Sequence, residues 1–447
     1  RAPWSPWALF PMQARLAAAA STSGRTRIDP RAPQPRARTR LGRAHARRQH
    51  ARESTSPAQA ERAPEDETTS STMVPRVFVV SDIHTDFEEN MQWVRGLSDT
   101  KYANDAIILA GDVSDDLSVL GETLVLFASK FRHAFFTPGN HELWCKRRGP
   151  LKDGESEADR ETIPDSMTKL ERVLRLCDEC GVETRPRLIG DGERKLWIAP
   201  VVAWYHSSFD YEPDITETRV HPPHLVMSDF RLCEWPGLDP KDDSVAEAMD
   251  AVNDARGWGT FLEWLRRPEQ SAADASVPIV SFSHFLPRLE LCPEKRMLFY
   301  PNLPKAVGSD FVMRRIQNLR AEQPPGARRV RTHVHCFGHT HFGWDATIDG
   351  VRYIQAPVSY PHEWKQRPGS LTVGPDANGR DFDFSGRRRL AEPCCIFDWE
   401  RHGGFAPKMS ARWSDHYASN PRTPQDTELA WWVRGSALKG RADDESD

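Results

Sequence analysis

From Arg76 onward the chain alternates short, wholly apolar runs with amphipathic stretches. Val77-Phe78-Val79-Val80, Ala106–Ala110 and Ala134-Phe135-Phe136 are too short for helices and contain no polar residue, which predicts strands covered on both faces. Between them, residues 87–97 place Phe87, Met91 and Val94 at helical spacing, and residues 117–131 read as a second helix. Strand–helix–strand–helix–strand with short links predicts a parallel sheet with right-handed crossovers, hence an α/β fold. Ligands of such sheets bind beyond the carboxyl ends of the strands. Asp82, His84, Asp112, Asn140 and His141 all fall at those ends.

Residues 143–275 read as an elaborated insertion or cap. Within it, 167–176 is expected to be helical, 195–204 a strand, and 245–267 a helix interrupted at Gly257 and Gly259. The stretch 206–240 is long, irregular and rich in His, Asp, Pro and aromatics, a composition common in functional loops. Strand patterning resumes at 277–282, His333–Phe337, 351–356 and 395–399. Residues 365–393 read as a mobile excursion. The last stretch, 416–447, is polar and reads as a flexible tail in which Trp431-Trp432 is the candidate for docking.

Charge separates the beginning of the chain from the rest. Residues 1–52 hold twelve Arg, no Lys and one acid, Asp29, for +11; with −4 overall, the remainder carries −15. So acidic a body is a poor general ligand for nucleic acid, whose binding rests on Lys and Arg at the phosphates. Residues 1–72 show no apolar periodicity and are expected to be a disordered or targeting leader. An Arg- and Ser-rich, acid-poor segment has the composition of a plastid or mitochondrial transit peptide. Equally, Met73 stands just before the first strand, and translation from it would leave a cytoplasmic protein. No apolar run is long enough to cross a bilayer, so a soluble intracellular protein without membrane contact is expected. Eight cysteines are scattered, with one C-x-x-C at Cys177 and Cys180. No second C-x-x-C completes a zinc cage, and reduced thiols are expected.

Five polar clusters recur in order: Asp82-Ile83-His84, Gly111-Asp112, Gly139-Asn140-His141-Glu142, His284, and Gly338-His339-Thr340-His341. Residues two apart in an extended segment point to the same side, so Asp82 pairs with His84 and His339 with His341. The inventory is two carboxylates, one amide and four imidazoles. That exceeds what one open catalytic metal needs and suits two metals sharing a carboxylate. Mixed nitrogen and oxygen donors favour Mn, Fe or Zn over Mg or Ca.

Together the five clusters resemble the calcineurin-like metallophosphoesterase superfamily over about residues 76–360. The resemblance implies a metallophosphoesterase-type β-sandwich flanked by helices, with a dimetal site at strand ends and a domain over 73–415. It implies that Asp82, His84 and His341 hold one metal, that Asn140, His284 and His339 hold the other, and that Asp112 bridges them. His141 would face the substrate as the acid toward the leaving group. The implied reaction is attack on phosphorus by a hydroxide bridging the two ions.

Phosphoprotein phosphatases of this superfamily carry Gly-Asp-x-x-Asp-Arg-Gly at the second cluster. Here the run is Gly111-Asp112-Val113-Ser114-Asp115-Asp116. Asp115 matches the acid that orients the histidine in that branch, so an Asp115–His141 pair is expected. Asp116 replaces the phosphate-binding Arg by the opposite charge, which sets the chain apart from typical Ser/Thr phosphatases. Other cations to grip a phosphate are Arg288 and the run Lys146-Arg147-Arg148. Trp204 and His206, at the mouth of the irregular stretch, are candidates for contact with the organic part of a substrate. The expected activity is hydrolysis of a phosphorylated small molecule or protein, with phosphomonoesters favoured because the body is acidic. A nucleotide or cyclic-nucleotide phosphodiesterase and a non-catalytic scaffold of the same fold are the alternatives.

Overall fold

The computed structural model describes residues 75–145, 163–267, 276–321, 332–374 and 392–434. In chain order its strands are β1 (Arg76–Val80), β2 (Ala106–Ala110), β3 (His133–Thr137), β4 (Arg187–Asp191), β5 (Arg194–Pro200) and β6 (Ile279–Phe282). Then come β7 (His333–Phe337), β8 (Trp344–Ile348), β9 (Val351–Gln355), β10 (Cys394–Asp398) and β11 (Gly404–Phe405). They form two sheets, ordered β11-β10-β1-β2-β3 and β4-β5-β6-β7-β9-β8. Strands β1, β2 and β3 are parallel, as are β5, β6, β7 and β9; antiparallel strands finish the edges.

Period-two alternation explains why both faces of each sheet are apolar. Val77 and Val79 of β1 and Ile108 of β2 meet Ile198, Val280, Val334 and Ile354 of the other sheet. The intervening residues Phe78, Val80, Ile107, Leu109 and Phe136 face outward onto Val94 of helix α1 (Glu88–Gly96) and onto Leu120, Leu124 and Phe127 of helix α2 (Leu117–Lys130). Helix α3 (Ser166–Glu179) adds Val173 and Cys177 to this layer. On the far face of the second sheet, Trp197, Ile279, Phe337 and Tyr353 pack against Trp258, Phe261 and Ile316. The layers therefore run helix, sheet, sheet, helix.

Two sequence expectations change and a third holds. Part of the supposed insertion at 143–275 belongs to the sandwich, because it supplies α3, β4 and β5, and β5 pairs with β6 along Trp197–Pro200. The interruption expected at Gly257 and Gly259 is present: helices Ser244–Asn253 and Gly259–Arg266 are joined by a turn in which Gly257 adopts φ +90°. Residues 416–434, expected in a tail, pack on the body: Leu429, Ala430 and Val433 are buried, and Trp432 Nε1 donates to Met297 O. The leader at 1–72, the basic run at 146–148, most of the excursion at 365–393 and the end from 435 lie outside the described residues.

Candidate metal centre

The carboxyl ends of β1, β2, β3, β6 and β7 all open onto one edge of the sandwich, and a left-handed backbone turn follows several of them. Seven non-glycine residues have positive φ among the described residues; five are Asp82, His84, Asp112, His339 and His341. Such backbone costs of order 1–3 kcal/mol per residue and persists only where the surroundings over-determine it. At Asp112 that determination comes from Glu142. Its buried carboxylate accepts from the amides of Asp112 (3.0 Å), Val113 (2.6 Å), Ser114 (2.9 Å) and Gly139 (2.7 Å), tying the β2 and β3 loops together. Gly139 must lack a side chain, since a Cβ there would overlap Asp112 Oδ1.

Two groups of donor atoms converge, with the atoms of each group within 4.8 Å of one another. One group is Asp82, His84, Asp112 and His341; the other is Asp112, His284 and His339. Asn140 Oδ1 joins the second, 3.1 Å from His284 Nε2 and 3.0 Å from His339 Nδ1. Asp112 is common to both.

The outer hydrogen bonds fix which ring nitrogen is free. A carbonyl only accepts, so His284 Nδ1 donates to Ala110 O (2.9 Å) and His339 Nε2 donates to Ala306 O (2.8 Å). That leaves the lone pairs of His284 Nε2 and His339 Nδ1 facing Asn140. His341 Nδ1 lies 2.6 Å from Glu363 Oε2, leaving Nε2 directed at His84 Nε2, 3.1 Å away, and at Asp82 Oδ1, 3.4 Å away. Lone pairs do not converge in a buried space without a cation or a proton between them. His84 Nδ1 is also buried without a hydrogen-bond partner. The donor set therefore fits two divalent ions of borderline hardness.

The electrostatics agree. Burial would depress both rings, yet Asp112 and Asp82 raise His284 to about 9, and Glu363 and Asp82 raise His341 to about 10. Burial opposes ionisation of Asp112 as well, but His284 and His141 hold it well below the ordinary carboxylate range. Metal-free, the cluster holds protons where cations would sit.

The seven residues expected to ligate metal lie together in this cluster, and His141 borders it with Nε2 3.8 Å from Asp112 Oδ2. Other expectations are corrected. Asp115 makes no hydrogen bond to His141 among the described residues: burial lowers the ring's pKa and the charges of Asp112 and Asp115 only oppose that, while the ring contacts Tyr360 Oη (3.1 Å) and packs on Trp144. Asp116 is explained as the N-cap of α2, accepting from the amides of Ser118 and Val119. Arg288 is held by Glu290 (2.7 Å) and by Asp349 (2.6 Å) in the turn that precedes β9, so its charge is already matched. Trp204 is 1% exposed and packs edge-to-face on Trp235 and Phe285, which places it behind the site and out of a substrate's reach. His206 is buried between Ser208 Oγ (2.7 Å) and the Asp310 amide (3.1 Å), capping the helix that follows.

Sequence reasoning missed the groups that orient the donors. Glu142 stood inside a quoted cluster but was given no part. Glu363 accepts from the Tyr360 amide (3.3 Å) at the start of the helix Pro361–Gln366, a local contact that says nothing of His341. Buried Asp229 accepts from Asn140 Nδ2 (3.0 Å), Trp144 Nε1 (2.7 Å) and Tyr205 Oη (3.0 Å), and no local pattern marks it.

Residues 75–228 match the family model for calcineurin-like phosphoesterases. Among characterised proteins, the chain is 24% identical over 300 residues to the acyl-carrier-protein phosphodiesterase PptH of Mycobacterium tuberculosis, covering 66% of this chain and 80% of that protein. Among solved structures, the phosphopantetheinyl hydrolase PptH of the same organism aligns over 72% of this chain and 98% of its own, at 22% identity and a TM-score of 0.47.

Proposed function

We propose that the chain, whose residues 75–228 match the calcineurin-like phosphoesterases, is a metal-dependent hydrolase that cleaves a phosphodiester, with a phosphodiester carried by an acyl-carrier protein as the leading substrate. The observation that carries this reading is the double donor set around Asp112, in a chain that spans four-fifths of a carrier-protein diesterase. The preference for monoesters drawn from the acidic body has no support in this likeness, and the proposal replaces it. The convergence of donor atoms around Asp112 favours an enzyme over a scaffold.

Asp82, His84, His341 and Asp112 would hold one ion and Asp112, Asn140, His284 and His339 the other. When bound, two such ions lower the pKa of a coordinated water and offset charge on the phosphate oxygens. The protein's own groups do the rest. Glu142, Glu363 and Asp229 hold the donors in place. His141 protonates the leaving oxygen. A water oxygen bonds to phosphorus, the bond to the leaving oxygen breaks with its electron pair, the imidazole supplies that oxygen's proton, and a water proton restores the imidazole.

The test uses the full chain with added manganese, on bis-para-nitrophenyl phosphate, para-nitrophenyl phosphate and a holo acyl-carrier protein followed by mass spectrometry. The expected result is turnover of the diesters and removal of the carrier protein's arm. Asp112→Asn should lower kcat by about 100-fold or more on every diester, and His141→Ala should do so on the carrier protein, whose leaving alkoxide needs a proton, and much less on bis-para-nitrophenyl phosphate. Turnover of the monoester alone would contradict the proposal.

A further inference from the structure

Tyr360 lies against the donor cluster, in contact with His84, His341 and His141. Its segment is stitched to β1 and the turn after it: Val358 N donates to Ser81 O (2.9 Å) and Ser359 N to Asp82 O (2.8 Å). Ser359 then turns the chain with φ +70°. The Tyr360 amide approaches Glu363 Oε2 (3.3 Å), the same oxygen that meets His341 Nδ1. The phenol ring stacks on His84 with centroids 4.0 Å apart and planes 18° apart, and its other neighbours are Phe87, His341 and His362. Tyr360 is only 6% exposed, so neither backbone nor ring is free to move.

What this rigid phenol does is end on His141, with Oη 3.1 Å from Nε2. The imidazole also packs on Trp144, with centroids 3.7 Å apart and planes 33° apart, meets His84 edge-to-face at 4.7 Å, and lies 3.8 Å from Asp112 Oδ2. Packing on a face leaves a ring free to slide in its own plane; a directed hydrogen bond to one ring nitrogen does not. Asp115, whose type would suit the task, makes no such bond among the described residues.

We infer that Tyr360 is the positioning residue of His141: its hydroxyl holds the Nε2 edge of the imidazole beside Asp112, where the leaving oxygen of a substrate departs. The consequence for rate rests on the phosphodiester reading above; the contact itself does not. Proton donation matters for an alkoxide leaving group and little for para-nitrophenolate, which departs as a stable anion. A group that positions the donor should therefore show itself through the leaving group.

The test is Tyr360→Phe, which keeps the ring stacked on His84 and removes only the hydroxyl. Two readouts are used on the full chain. In the zinc-loaded protein, nitrogen resonances of labelled histidines should show the His141 Nε2 signal displaced and the other imidazoles unchanged. In kinetics, kcat on an alkyl-leaving diester should fall about tenfold with KM unchanged, and kcat on bis-para-nitrophenyl phosphate should stay within about twofold. In a His141→Ala background, Tyr360→Phe should cost nothing more. An undisplaced His141 resonance, an equal loss on both leaving groups, an additive loss in the double variant, or loss of bound zinc would each overturn the inference. Absence of diester turnover in the parent defeats the substrate reading alone, and the nitrogen resonance then decides the role of Tyr360.

Discussion

Asp112 shows how much one side chain can be asked to do. Its backbone is left-handed, its amide is held by Glu142, its Oδ1 accepts from the His141 amide (3.1 Å), and its carboxylate belongs to both donor groups. The rings around it carry a measurable signature. Burial works against protonation of His284 and His341, but neighbouring carboxylates lift them to about 9 and about 10, so at pH 7 the metal-free protein holds both protons. Ion binding must displace roughly two protons per chain at pH 7. Affinity for manganese should therefore rise as pH is raised from 6 to 9, and calorimetry in buffers of different ionisation enthalpy should count the released protons. Binding independent of pH would contradict this. At this scale the sequence was legible wherever chemistry is written locally: the donors stand two residues apart or beside a glycine at strand ends. Tyr360, Glu363 and Asp229 were not, because they reach the site from 219, 22 and 89 residues away along the chain.

Elements place those residues, and two of them make separable predictions. Helix α2 begins at Asp116, whose side chain accepts from Ser118 N (2.9 Å) and Val119 N (3.2 Å). Asp116→Ala should lower stability by about 1 kcal/mol, seen as a lower Tm, and leave metal content unchanged. A loss of metal instead would make Asp116 part of the site. Strands β6 and β7 share a buried chain of polar groups in which Ser281 Oγ lies 2.7 Å from His333 Nε2 and 2.8 Å from His335 Nδ1. Burial drives His333 from 6.5 down to about 3. Below pH 6.5 the unfolded chain takes up a proton that the folded one refuses, so stability falls as pH drops from 6.5 toward 3. This term alone is on the order of 2 kcal/mol between pH 6.5 and 4.5. Urea midpoints should decline over that window, and His333→Gln should flatten the decline. The buried strands β1, β2, β6 and β7 were readable as apolar runs. Strands β4 and β8 were not, since each mixes exposed and buried positions and gains its place only by antiparallel pairing with a neighbour.

At the scale of the whole molecule, the two sheets bring residues 82 and 341 together, and the five clusters, unremarkable one by one, become a single donor set. The layer order followed from the alternation of strands and helices in the first half of the chain. The path of 201–267 did not, because its contacts are made with distant strands and not within a local repeat. Among the described residues no helix is long and apolar enough to cross a membrane. The account as a whole stands on two cations sharing Asp112. The direct measurement is anomalous scattering from manganese-soaked crystals of the full chain. Two peaks about 3.5–4 Å apart, one on each side of the Asp112 carboxylate, are the predicted result. A single peak, or manganese bound elsewhere with this cluster closed by its own hydrogen bonds, would contradict it.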